Sequence, residues 1–178
     1  MAAWPSWMPS GLVNLGLDLR GGAHLLAEVQ VGDVYESIMD ASWPEVRDAL
    51  AAERDTVGFV TRDDSAPDVL KVRISEADGQ ARALEIVRGL ARPIQSLTGA
   101  GSTDIEVTAD GVVLTIQLSE AEKAAVDTRT LQQSLEIVRR RIDEAGTREP
   151  TIQRQGTDRI LIQVPGVGSA QEVKDLIG

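Results

Sequence analysis

Apolar and polar positions alternate most clearly near the start of the chain. Over residues 15–31 the odd positions read Leu15, Leu17, Leu19, Gly21, Ala23, Leu25, Ala27, Val29 and Val31. The even positions read Gly16, Asp18, Arg20, Gly22, His24, Leu26, Glu28 and Gln30. A period of two with one apolar face predicts a strand. The phase does not slip at Gly21 and Gly22, so one long strand is expected, bent or bulged at the glycine pair. Residues 33–54 then change to a helical period, with Tyr35, Ile38, Met39, Val46, Ala49 and Leu50 on one stripe. Pro44 removes a helical hydrogen bond and crowds the carbonyl four residues earlier. Ser42 followed by Glu45 resembles a capping box. Together they predict a kink, or a break into two helices, near Ser42.

Two short strands are expected at residues 57–61 and 69–74, joined by a turn containing Asp63, Asp64, Ser65 and Pro67. Ser75, with Asp78 three residues on, predicts the start of a second helix. Its buried stripe is Ala83, Leu84, Val87, Leu90, Ala91 and Ile94, and Pro93 and the glycines at 99–101 end it. A hairpin follows, residues 104–108 and 112–118 around Asp110-Gly111. Ser119 and Glu122 predict the cap of a third helix, which carries Leu131, Leu135, Val138, Ile142 and Ala145 at helical spacing and stops at Gly146. A second hairpin pairs residues 151–155 with 159–164 across a turn at 156–158. Pro165-Gly166 closes it, and a last short helix covers residues 172–177.

The order β-α-β-β-α-β-β-α-β-β-α predicts an α+β fold. Its first six elements match a ferredoxin-like split β-α-β unit, and from Val112 the series begins again without its final strand. The expected division is a juxtamembrane or disordered segment at 1–12, a first unit at 13–108 and a second, C-terminally truncated unit at 112–178. A short echo accompanies the repeat: Arg73-Ile-Ser-Glu-Ala77 and Gln117-Leu-Ser-Glu-Ala121 both run from a strand into a helix.

Composition narrows the function classes. The chain has 178 residues, 42% hydrophobic, 26% charged and only 3% aromatic, so the core must come from aliphatic residues. The net charge of −10 argues against a nucleic-acid binder, which needs a basic footprint, and against a polybasic membrane-surface segment. The absence of cysteine removes zinc–thiolate sites, redox motifs and disulfides. No stretch approaches the ~20 apolar residues that span a bilayer, and the first ten residues lack the basic start and apolar centre of a signal peptide. Trp4 and Trp7 in that stretch are residues that favour the membrane–water interface.

The candidate chemistry is sparse. His24 is the sole histidine and sits on the polar face of a predicted strand, where an ordinary sheet histidine outweighs a triad member. Asp63, Asp64 and Asp68 share one loop without the spacing or turn glycine of a calcium loop. Gly21-Gly22 lacks the helix start of a phosphate cradle, because apolar alternation resumes at once. Arg139, Arg140 and Arg141 flank an apolar stripe near Glu136, Asp143 and Glu144, which suits surface ion pairing. Asp18 and Arg20 share a strand face, as an ion pair of modest worth. These residues assemble no active site, metal site or cofactor site.

Two segments carry a resemblance. Leu15-Gly16-Leu17-Asp18-Leu19-Arg20-Gly21-Gly22 matches a motif of the SecD/SecF protein-export family. The run from Arg141 through Asp143, Glu144, Gly146 and Glu149 to Pro150 resembles that family's second characteristic stretch. It continues through Arg154, Gln155 and Gly156, then Asp158, Arg159 and Ile160, then Pro165 and Gly166. The resemblance implies the first periplasmic domain of a bacterial inner-membrane subunit, specifically the N-terminal part of its base, separated here from its membrane helices and from the mobile head. It further implies work with SecF beside the SecYEG channel and the SecA motor, with YajC, on translocating unfolded polypeptide. The family uses the proton-motive force, and its proton-carrying carboxylates lie in membrane helices absent from this sequence. A non-enzymatic role is expected, with an exposed edge strand receiving polypeptide by strand addition. A periplasmic porter domain of an RND-type efflux transporter uses the same split units and is the alternative. A soluble enzyme or ligand-binding domain would require converging polar groups.

Overall fold

In the computed structural model, residues 12–13, 22–63, 66, 68–94, 101–146 and 150–177 are described. Contacts divide the chain into two units. One gathers Met1–Val31 with Val126–Gly178; the other is Gly32–Ala125, inserted between them in sequence.

The first unit holds a four-stranded antiparallel sheet, A. Its strands are β1 (Leu12–Val13), β2 (Gly22–Glu28), β7 (Thr151–Gln155) and β8 (Arg159–Pro165), in the order β1-β2-β8-β7. Strand β8 is antiparallel to both β2 and β7, so those two run parallel with β8 between them. This is a split β-α-β arrangement whose crossover contains helix α4 (Glu120–Glu144). Alternation places Ala23, Leu25 and Ala27 of β2 and Ile160, Ile162 and Val164 of β8 on one face. They form a core with Leu131, Val138 and Ile142 of α4 and with Val173 and Ile177 of α5 (Ala170–Ile177). Ser169 starts α5 as a cap: its Oγ accepts from the Glu172 N–H at 3.2 Å, and the Glu172 carboxylate accepts from the Gly168 N–H at 3.1 Å.

The inserted unit holds sheet B. Strands β3 (Val60–Asp63), β4 (Val69–Ile74), β5 (Ile105–Asp110) and β6 (Val113–Leu118) lie in the order β3-β4-β6-β5, all antiparallel. Helices α1 (Val31–Ala51) and α3 (Gln80–Gly89) supply Met39, Val46, Leu50, Ala83 and Val87 to its core. Leu70, Val72, Ile74, Leu114 and Ile116 face them from the sheet. The two cores share no buried residue.

The α+β class holds, and several local expectations are corrected. Helix α1 is not broken at Ser42; it starts at Val31 and runs through Pro44. Ser42 is not a cap: its Oγ donates to the Met39 carbonyl at 2.8 Å. Pro44 and Asp40 both lie on the exposed side, so the carbonyl that loses its N–H partner faces water. The strand expected at 57–61 begins only at Val60, because Val57 ends the short helix α2 (Arg54–Val57) and is buried there. Ser75 does not cap α3, which follows a 3-10 turn at Ala77–Gly79. Its Oγ instead accepts from the Phe59 N–H at 3.0 Å. Helix α3 ends at Gly89, before Pro93. The β5–β6 turn is Gly111-Val112, since Asp110 already pairs with Val113. The Ser119 cap holds, its Oγ accepting from the Glu122 N–H at 3.2 Å.

The largest difference concerns pairing. A first unit at 13–108 would place the opening strand in one sheet with β3–β5. Instead β2 joins β8, and the contacts divide at 31/32 and 125/126, not near 108–112. Of the strand expected over 15–31, Gly22–Glu28 is observed; residues 15–21 lie outside the described residues, as do 1–11 with Trp4 and Trp7.

Two stability predictions follow from α1 and α4. Pro44→Ala restores a helical N–H at an exposed site and should stabilise the inserted unit by about 1–3 kcal/mol in denaturant melts. Ser134 is fully buried in α4, and its hydroxyl has no hydrogen-bond partner among the described residues. Ser134→Ala should therefore be neutral or raise stability by about 1 kcal/mol, whereas an equal loss would show that the hydroxyl is satisfied.

Candidate functional site

The two motif-bearing segments meet along β2 and β8. The register pairs Gly22 with Pro165, Ala23 with Val164 and His24 with Gln163, continuing to Glu28 with Arg159. Gly22, the last residue of the first motif, is thus seated on Pro165 near the end of the second. A Cβ at Gly22 would lie 3.1 Å from the Val164 carbonyl oxygen and 3.2 Å from Pro165 Cα. The close main-chain approach is what glycine permits here. A cavity of about 260 Å³ lies over this junction, lined by Gly22, His24, Thr151, Gln163 and Pro165 among others. His24, Gln163 and Thr151 lie in one row across three strands, with Gln163 beside the histidine and Thr151 one strand beyond.

Several further motif residues brace this sheet. On α4, Arg141 donates from Nη1 to the Ile177 carbonyl at the end of α5, tying the two helices that pack on sheet A. A cation there also complements the C-terminal end of the helix. Asp143 and Glu144 are exposed, and the Arg140–Glu144 contact at 4.0 Å is a surface pair of little worth. Gly146 ends α4 with φ +72°. Pro150 directly precedes β7, and Glu149 lies outside the described residues.

In the β7–β8 hairpin, Arg154 Nε donates to the Gly156 carbonyl at 2.8 Å. Gly156 has φ +76°, a left-handed conformation that costs a side-chain-bearing residue about 1–2 kcal/mol. Gln155 pairs with Arg159, closing the hairpin. The Asp158 carbonyl accepts from the Val29 N–H at 2.7 Å, so the hairpin turn is fastened to the end of β2. Ile160 is fully buried, and Gly166 leaves β8 with φ +80°. Residues 15–21 of the first motif, including Asp18 and Arg20, lie outside the described residues.

The structure thus gathers Gly22, Arg154, Gly156, Asp158, Ile160 and Pro165 into one bonded sheet and leaves Asp143 and Glu144 on the surface. The contacts of Arg141 with Ile177 and of Asp158 with Val29 were not foreseen from sequence. Both join positions far apart in the chain, one of them through main-chain atoms alone, and no local pattern signals such contacts. No group of three or more His, Asp or Glu among the described residues can hold a metal ion.

Residues 13–32 match the SecD/SecF GG motif. Residues 131–178 match the N-terminal part of the P1 domain of the protein translocase subunit SecDF. Protein translocase subunit SecD of Rhodobacter capsulatus is 66% identical over 177 residues, which is 99% of this chain and 32% of that protein. SecD of Magnetococcus marinus is 30% identical over 98% of this chain and 31% of its own length. SecD of Rickettsia typhi is 32% identical over 97% and 30% respectively. The chain spans about a third of the length of these curated relatives. No solved structure matches it. The matches give the efflux-porter alternative no support. Among the described residues, no helix is long and apolar enough to cross a membrane.

The close approach at Gly22 is open to test. Gly22→Ala asks the neighbouring strand to yield by a few tenths of an ångström and should cost about 1 kcal/mol. Gly22→Val should cost about 1–3 kcal/mol, with loss of amide protection concentrated in β2 and β8 on hydrogen exchange. Unchanged stability for the valine variant would show that the strands are not in this register.

Proposed function

Because the chain belongs to the SecD/SecF family of protein translocase subunits, we propose that it is an extracytoplasmic module of such a subunit, on the periplasmic side of the bacterial inner membrane. In this reading it assists translocation of unfolded secretory proteins driven by the proton-motive force. It does so by transient contact with the moving polypeptide and by conformational coupling to the membrane part, without enzymatic chemistry of its own. SecF, the SecYEG channel, the SecA motor and YajC are its proposed partners.

The observation that supports the reading is the meeting of the two family-matched segments. They lie at opposite ends of the chain and pair as β2 and β8, with Gly22 against Pro165. Gly22 and Pro165, which serve main-chain approach and strand pairing, suit a mechanical element better than a reacting centre. Strand β7, at the end of the strand order of sheet A, provides an edge to which an extended polypeptide can add by main-chain hydrogen bonds, largely independent of side-chain sequence.

Site-specific photo-cross-linking in the complete membrane protein tests this. Probes at Gln153 on β7 and at Ala41 on α1, both exposed, should form adducts with a secretory precursor stalled in the channel. Adducts at either position support the reading. Their absence at both, with the precursor cross-linked elsewhere in the translocation complex, overturns the polypeptide-contact role.

A further inference from the structure

The inserted unit carries almost all of the chain's excess charge. Gly32–Ala125 contains eighteen Asp and Glu against nine Lys and Arg, a net of −9, while the whole chain is −10. Neither family match enters most of this stretch, since one ends at residue 32 and the other begins at 131. The acidity therefore belongs to a separately cored body that the two motifs do not describe.

A cavity of about 300 Å³ opens in this unit between α1, the segment after α3, and strands β5 and β6. Its apolar wall includes buried Met39 and Leu118 and the half-buried Ile38, Leu90 and Ile105. Three carboxylates, Glu45, Asp104 and Glu122, line it together with a single cation, Arg92. Arg92 is engaged on both sides. Its guanidinium lies 3.2 Å from Glu45, and its main-chain N–H donates to the Asp104 carboxylate at 2.7 Å. The Arg92 and Glu45 side chains are 71% and 52% exposed, so that ion pair is weak and another cation can compete for Glu45.

An apolar pocket of this size with a few polar groups at its rim is the usual form of a binding site. Here the rim has a surplus of negative charge and the surrounding body is strongly acidic, which selects against an acidic or neutral occupant and draws in a basic one. We propose that this cavity receives one apolar side chain of an unfolded polypeptide whose neighbouring residues are Lys or Arg. The inference rests on the polypeptide-contact role above and adds where contact is made and which segments are preferred. The apolar side chain fills the pocket, while flanking ammonium or guanidinium groups pair with Glu45 and Glu122. Electrostatic attraction of this kind raises the encounter rate and falls as salt screens it over about 8–10 Å.

The test is an NMR titration of the whole 178-residue chain with three nine-residue peptides: a central Leu flanked by Lys, the same with Ser for Leu, and the same with Glu for Lys. The Lys–Leu peptide should shift the amides of Leu90, Arg92 and Ile105. It should bind about tenfold or more tightly than either of the others, and raising salt from 20 to 300 mM should weaken it several-fold. Ala41 is exposed on α1 at the cavity wall, so Ala41→Trp should block the pocket and weaken the Lys–Leu peptide about tenfold with the far-UV spectrum unchanged. The double variant Glu45→Gln, Glu122→Gln leaves the apolar wall in place. It should weaken the Lys–Leu peptide several-fold and leave the Glu–Leu peptide no weaker. Equal affinity for the three peptides overturns the proposal, as does binding that Ala41→Trp leaves untouched. Peptide shifts confined to β7 and β8 also overturn it while leaving the broader export role standing; only the missing adducts of the cross-linking experiment would remove that role.

Discussion

The pairing of β2 with β8 is the constraint on which the first unit depends. It joins Gly22–Glu28 to Arg159–Pro165 across 130 residues of intervening chain. Closing a loop the length of the 94-residue insert costs about 4 kcal/mol if that loop is a flexible coil. The insert is not a coil: it has its own sheet and its own buried cluster. Once it has folded, the entropy of its residues is already spent, and bringing the two motifs together no longer requires ordering them. The main-chain contacts at the junction then fix the register. Gly22 allows the strands to approach at one end, and the Val29–Asp158 hydrogen bond fastens the other.

This arrangement explains which features could be read from the sequence. Local periodicity gave the strands β4, β7 and β8 and the run of α4, because alternation and helical spacing are properties of neighbouring residues. The Ser119 cap and the Gly146 stop were legible for the same reason. The Ser75 and Ser42 caps failed because a serine followed by an acid is only a local option. At Ser75 the hydroxyl is taken by the N–H of Phe59, sixteen residues earlier in the chain. At Ser42 the hydroxyl bonds back onto the helix it was expected to start. Val57 looked like the beginning of a strand since it is apolar and β-branched, yet its burial is achieved at the end of a helical turn. Which sheet β2 joins was not legible at all, because its partner is set by the other end of the chain.

The site divides in the same way. The motif residues were identifiable as a resemblance, but their physical work appears only with the register: a close approach at Gly22, a turn at Gly156 braced by Arg154, and a carbonyl of α5 held by Arg141. The cavity of the inserted unit left no mark in the sequence. Its wall is drawn from α1, the segment after α3, β5, β6 and the start of α4, and these sources form no motif together. Composition did carry a trace of it. The net charge was visible from the start, but a total cannot show that a net −9 of the −10 belongs to one body.

Separate cores also separate the family motifs from the acidic cavity proposed for recognition. The first unit is built from main-chain pairing and carries the family motifs, and its substitutions act on register and strand approach. The second unit closes its own core without any residue of sheet A, so its surface can change charge or pocket shape while the β2–β8 junction stays intact. Glu45 at the rim of the cavity contributes little to stability through its ion pair with Arg92, since that pair is exposed. A body inserted between two paired strands can in this way specify what is bound, while the strands that flank it in sequence specify how the module is held together.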